Sequence, residues 1–164
     1  MNSNAISLAN YFIGRAVSEK ENIFQLGLMK RVYIAHGFCL ALLDMSALDR
    51  RFDRVEAWKY GPVIPSVYHS FKHNGKNAIT EKSVIIDVNT DTYEIEVKTP
   101  ELTNYAIIEV ADMVWKRYLG FSDSQMIQLT HREGTPWSMC YQYGKTNEIP
   151  DLYTKAFYSK LIKN

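Results

Sequence analysis

Apolar side chains recur at helical spacing from the start of the chain. Ile6, Ala9, Ile13 and Ala16 share one face, and Leu8 and Phe12 widen it. Ser3 or Asn4 supplies a capping side chain for this first helix, expected over residues 5–19. After a short polar turn, a second helix is expected over residues 24–43. Leu26, Met29, Val32, Tyr33, Leu40 and Leu43 make it apolar on most sides, so it reads as a central, buried helix. Gly37 within it lowers helix propensity by about 1 kcal/mol and lets a neighbouring element approach closely.

A charged connector then leads to the stretch EAWKYGPVIPSVYHSFKHNG, Glu56 to Gly75. Pro65 suits the first position of a third helix, since its missing N–H would be unpaired there, and Asn74-Gly75 stops that helix. The period then changes from helical to alternating. Val84, Ile86 and Val88 alternate with Ile85 and Asp87, and Tyr93, Ile95 and Val97 with Glu94, Glu96 and Lys98, around the turn residues Asn89–Thr92, which predicts antiparallel strands over 83–88 and 93–97. The edges of such a hairpin are open to a partner strand. Thr99-Pro100-Glu101 has the chemistry of a helix start, with Leu119 and Gly120 at the other end. Ser122 and Gln125 have capping-box spacing for a helix ending near Gly134, and Thr135-Pro136 opens a short one over 136–143. An amphipathic segment over 151–163 follows. The expected fold class is mainly α: a single-domain helical bundle over 1–164 around a central apolar helix, with one small β-hairpin inserted at about 83–98.

Composition adds limits. A chain of 164 residues with 46% hydrophobic and 23% charged residues suits a globular domain. The net charge of +1 disfavours nucleic acid as a partner, and the basic clusters, Lys30-Arg31, Arg50-Arg51 and Lys116-Arg117, are short. Cys39 and Cys140 lie in apolar surroundings and read as buried thiols of a reducing cytosol. The N-terminus lacks the pattern of a secretory signal. The apolar run over 32–43 is too short to span a bilayer. No membrane association is expected, and the expected location is cytoplasmic.

Candidate chemistry is sparse. His36 and Cys39 share a helix face, but a hydrogen-bonded core histidine beside a core thiol outweighs a nucleophile pair. His69 and His73 are four apart, yet only Lys72 and Lys76 flank them, so a solvated basic face outweighs a zinc site. A structural role is expected for His131. Asp44, Asp49 and Asp53 alternate with Arg50, Arg51 and Arg54, which reads as self-compensated surface charge. No catalytic residue, metal or cofactor is expected. An enzyme would have to use His36/Cys39 or Glu56, and a DNA-binding regulator the face from His69 to Lys76.

The aromatic corner is the better candidate. Trp58 is expected to be mainly core, with residues 59–63 an exposed, rigid loop. Ile64, at the cap of the third helix, has no side-chain oxygen for the first free N–H groups. Lys59, Tyr60, Gly61, Pro62, Val63 and Ile64 are therefore the expected partner-binding set. Trp and Tyr are enriched at interface hot spots.

Three segments in order, LGLMKRVYIAHGFCLAL, EAWKYGPVIPSVYHSFKHNG and LTHREGTPW, closely resemble the Panacea domain, the SocA-like or GepA-like phage-associated family. The matching positions include Trp58, Gly61, Pro62, Val63, Pro65, Tyr68, His131, Pro136 and Trp137. Arg31 stands where the family's pattern carries Leu. The resemblance covers nearly the whole chain. It implies a cytoplasmic antitoxin whose partner is a cognate toxin protein, and a phage or mobile-element origin. It also implies two routes: direct neutralisation, or adaptor action that delivers the toxin to a ClpXP-type protease, with a ClpX-type unfoldase as second partner.

Overall fold

The computed structural model describes residues 4–163. Its elements run α1 (Asn4–Glu19), α2 (Gln25–Leu43), β1 (Glu56–Trp58), β2 (Gly61–Val63), α3 (Pro65–Phe71), β3 (Ile85–Val88), β4 (Ile95–Lys98), α4 (Tyr105–Arg117), α5 (Asp123–His131), α6 (Pro136–Cys140) and α7 (Asp151–Lys163). The fold is mainly helical, and α2 is its central helix, as the pattern predicts. Helices α1, α4, α5 and α7 all pack against α2, which buries Leu28, Met29, Val32, Tyr33, Ile34 and Cys39. Among the described residues α2 alone is long and apolar enough to cross a membrane, and most of it is buried inside the protein.

Gly37 does what its position suggests. A Cβ there would overlap the ring of Tyr158 on α7, so the missing side chain brings the two helices together. Phe38 and Tyr158 meet edge to face at 4.9 Å, and the hydroxyls of Tyr33 and Thr154 lie 3.3 Å apart.

The β3–β4 hairpin forms as expected, antiparallel, with Ile86 opposite Val97 and Val88 opposite Ile95. The capping box of Ser122 and Gln125 is present. Several boundaries differ: β3 and β4 begin at Ile85 and Ile95 rather than at 83 and 93, and α3 and α4 end at Phe71 and Arg117. Helix α4 starts at Tyr105 rather than near Thr99. Asn104 Oδ1 accepts from the N–H groups of Ala106 (3.0 Å) and Ile107 (3.3 Å), serving two free donors at once. Meanwhile the Pro100 carbonyl is held by Asn10 Nδ2 at 3.0 Å, which keeps the preceding stretch out of the helix. Helix α5 ends at His131, short of Gly134, and α6 at Cys140. The suggested Ser3 cap lies outside the described residues.

The aromatic corner holds a second hairpin that the pattern does not announce. Glu56 pairs with Val63 and Trp58 with Gly61, leaving Lys59 and Tyr60 at the tip. The segment before α7 adds to it: Ala57 N–H donates to the Asn147 carbonyl and Ile149 N–H to the Val55 carbonyl, both at 2.8 Å.

Candidate functional site

The residues matching the family's pattern converge on the β1–β2 hairpin and hold it in place. Trp137, on α6, donates Nε1–H to the Trp58 carbonyl at 2.6 Å. The His131 ring stacks on Trp137 at 3.9 Å, and its Nε2–H donates to the Lys59 carbonyl at 3.2 Å, which fixes the tautomer. Tyr141 also stacks on Trp137, at 4.6 Å, and Tyr68 meets Trp58 edge to face at 5.0 Å. Pro136 is buried at the first turn of α6, and Pro65 is half-buried at the first turn of α3. Thus the two distant motifs are one clamp in space.

Below the hairpin lies a fully buried cation. Lys30 reaches up from α2 and donates to the Pro62 carbonyl at 2.8 Å. Burial pulls its ammonium down to about 7, against an opposing pull from Asp123. Gly61 has φ +104, a left-handed conformation, and a Cβ there would stand 3.0 Å from Lys30 Nζ and 3.4 Å from Thr130 Oγ1. Lys30 and Arg31 are therefore interior groups rather than a basic surface cluster. Arg31, in the place of a Leu, is buried too and donates from Nη2 to the carbonyls of Tyr118 (3.1 Å) and Phe121 (3.4 Å).

The expected exposure of residues 59–63 holds only for the tip. Lys59 and Tyr60 are exposed, but Gly61, Pro62, Val63 and Ile64 are buried. Period-two alternation does not hold here, because all of β2 is buried and it packs against both α2 and α5. Trp58 is half-buried rather than core, with its Nε1–H donated to Glu56 Oε2 at 2.7 Å. Beside the tip, Trp58, Lys59, Tyr141, Tyr143 and Lys145 line a groove of about 390 Å³.

Ile64 gives α3 no side-chain cap, as expected, and the N–H groups of Val67 and Tyr68 both donate to its carbonyl at 3.0 Å. Ser66 Oγ donates to Asp53 Oδ1 at 2.8 Å, while Asp53 Oδ2 accepts from the N–H groups of Ala5 (3.1 Å) and Asp49 (2.9 Å). Asp53 is thus a buried hub joining α1, the connector and α3, not surface charge. Asp49 and Asp44 do pair at the surface, with Arg51 at 2.7 Å and Lys155 at 2.5 Å.

The other candidate chemistries dissolve on geometry. Both oxygens of Glu56 are taken, by Trp58 and by Arg54 at 2.7 Å. Ala47 N–H donates to His36 Nδ1 at 3.4 Å, which puts the ring proton on Nε2, 3.0 Å from Asp151 Oδ1. Burial pushes the Cys39 thiol up to about 12, so it stays protonated at neutral pH. Cys140 is half-buried rather than buried. His69 and His73 are exposed, as a solvated face requires.

Sequence reasoning finds the β3–β4 hairpin but not which face meets water. Ile86, Val88, Ile95 and Val97 share one face by register, and all four are exposed. Alternation marks two faces of a strand without saying which is covered.

The family described as "Antitoxin SocA-like, Panacea domain" matches residues 28–138, which run from α2 into α6. The chain is 31% identical over 144 residues to "Antitoxin SocA" of Caulobacter vibrioides (strain NA1000 / CB15N), covering 88% of this chain and 73% of that protein. No solved structure matches. The chain belongs to the SocA-like antitoxin family with the Panacea domain.

Proposed function

We propose that this antitoxin neutralises a cognate toxin protein by direct contact, with Lys59 and Tyr60 as contact residues. Gly61, Pro62, Val63 and Ile64 contribute by holding that tip from inside. The observation that carries the reading is the clamped tip itself: a lysine and a tyrosine face solvent on a two-residue turn fixed by His131, Trp137 and Lys30. Such a tip loses little conformational entropy on binding, so its contacts convert efficiently into affinity. Tyr60 next to the groove of Trp58, Tyr141 and Tyr143 has the composition of a binding hot spot. Neutralisation of this kind needs no bond chemistry, metal or cofactor.

Co-expression tests it. The adjoining reading frame whose product stops growth is expressed with the wild-type chain, Lys59→Glu or Tyr60→Ala. Wild type rescues growth, and both variants melt normally but rescue poorly. Full rescue by both variants removes the tip as contact surface, and failure of wild type to rescue removes the antitoxin reading for that frame. Rescue that persists in cells lacking ClpX supports direct neutralisation. Rescue lost there, with complex formation intact, assigns delivery to a ClpXP-type protease instead.

A further inference from the structure

We propose that the apolar face of the β3–β4 hairpin is a second docking surface for the partner protein, fitting an apolar segment flanked by lysine or arginine. The inference rests on the antitoxin reading and adds a place and a chemistry to it.

The hairpin is built the wrong way round for a surface element. Side chains on one face of an antiparallel pair lie opposite one another, and here Ile86 faces Val97 and Val88 faces Ile95. That face normally goes to the core. Instead Ile86 is 65%, Ile95 70% and Val97 63% exposed. The other face carries Asp87 opposite Glu96, and Ile85 opposite Lys98. No other element packs extensively on either strand. Contiguous exposed apolar patches on small proteins mark interaction sites.

The hairpin is nonetheless held firmly at its base. Asn10, buried on α1, donates from Nδ2 to the carbonyls of Ser83 (2.9 Å) and Pro100 (3.0 Å) and accepts the Ser83 N–H at 2.8 Å. The turn is closed by Asn89, whose Oδ1 accepts from the N–H groups of Asp91 (2.9 Å) and Thr92 (3.2 Å). Both stems and the tip are thus fixed, which gives the exposed face a defined shape before binding.

Charge selects the occupant. Residues 83–98 hold four acids, Asp87, Asp91, Glu94 and Glu96, against the single Lys98, a net charge of −3 in a chain of net +1; Asp87 and Glu96 share Lys98 on the reverse face, at 3.5 and 2.8 Å, and Asp91 and Glu94 lie at the turn. A symmetric contact with a second copy would set two such hairpins against each other. An anionic lipid surface is repelled for the same reason. A partner with basic residues beside its apolar segment is attracted, and like-charged competitors are rejected.

The probe is the purified product of the adjoining reading frame that stops growth. Ile86→Thr with Ile95→Thr removes apolar surface and keeps β-branched side chains, so the strands persist. Asp91→Asn with Glu94→Gln removes two charges at the turn and leaves the Lys98 pairs with Asp87 and Glu96 in place. Expected are an unchanged melt for both, affinity at least tenfold weaker for the first, and a shallower salt dependence of binding for the second. Wild-type affinity in Ile86→Thr/Ile95→Thr overturns the inference, whatever Lys59→Glu does, and leaves the antitoxin reading standing. No binding by wild type removes both. A wild-type dimer that this double variant dissociates, or binding to phosphatidylglycerol vesicles that it abolishes, overturns the inference in favour of a second copy or a membrane.

Discussion

Lys30 carries a charge into the interior with one carbonyl as hydrogen-bond partner and no carboxylate in direct contact. Its ammonium, pulled by burial down to about 7, gives a pH dependence with a definite sign. The unfolded chain keeps this lysine protonated up to about pH 10.4. Between about 7 and that value the unfolded state binds the extra proton, so Lys30 makes the protein more stable as pH rises through that window. Below it both states are protonated and the cost is constant. Lys30→Met is therefore expected to gain more stability relative to wild type at pH 6 than at pH 9.5, measured by urea unfolding at both. An equal offset at the two pH values would show that Lys30 is charged throughout. Asp53 makes the complementary case of a satisfied buried carboxylate. Asp53→Ala removes the acceptor of the N–H groups of Ala5 and Asp49, at about 1–3 kcal/mol for a buried group left unpaired. Thermal melts check this. Neither role shows in the sequence, where Lys30-Arg31 and Asp53 look like ordinary surface charge. Only tertiary contacts from β2, α1 and α3 distinguish them.

At the scale of elements, local chemistry was legible wherever local contacts decide. The Ser122–Gln125 box, the Pro at the first turns of α3 and α6, and the period change at β3 all lie within a few residues of their partners. Asn104 displaced Thr99 as the cap of α4 because Asn10, 90 positions before Pro100, holds the intervening chain. The β1–β2 hairpin escaped because each strand has three residues, one of them Pro62, and its stability comes from α2, α5 and the segment before α7. The exposed tip of the candidate site was legible, and its buried flank was not, for the same reason. Gly37 shows a sequence signal with a tertiary cause that could be inferred: a glycine in an otherwise apolar helix marks a close approach. Gly37→Ala improves helix propensity by about 1 kcal/mol but forces the new methyl into the Tyr158 ring. Overpacking costs about 1–3 kcal/mol, so the net effect expected is a lower melting temperature. Gly37→Ala combined with Tyr158→Leu should recover part of that loss, a coupling that a double-mutant cycle measures.

The whole molecule divides into a body with one contiguous core and a hairpin that shares little of it. The core runs from Ala5 on α1 through α2 to Tyr158 on α7 and includes Val63 and Ile64 of the corner, but none of its buried members lies in β3 or β4. Stability within a protein follows such divisions, because a unit with few buried apolar contacts opens below the free energy of global unfolding. A two-stranded hairpin is marginal by itself in water. What ties this one down is Asn10, through its three bonds to Ser83 and Pro100. Asn10→Ala removes those bonds while leaving β3–β4 pairing and the α2 packing untouched. Native-state hydrogen exchange is the discriminating measurement. In wild type, the amides of residues 85–98 are expected to exchange by local opening and those of α2 only by global unfolding. In Asn10→Ala the hairpin amides should exchange faster, by about tenfold for each 1.4 kcal/mol of lost anchoring, while the α2 amides slow or quicken only with global stability. Equal acceleration in the hairpin and in α2 would mean that the two open as one cooperative unit. The partner-binding surfaces would then stand or fall together with the core, and not as a clamped corner and an independently held hairpin.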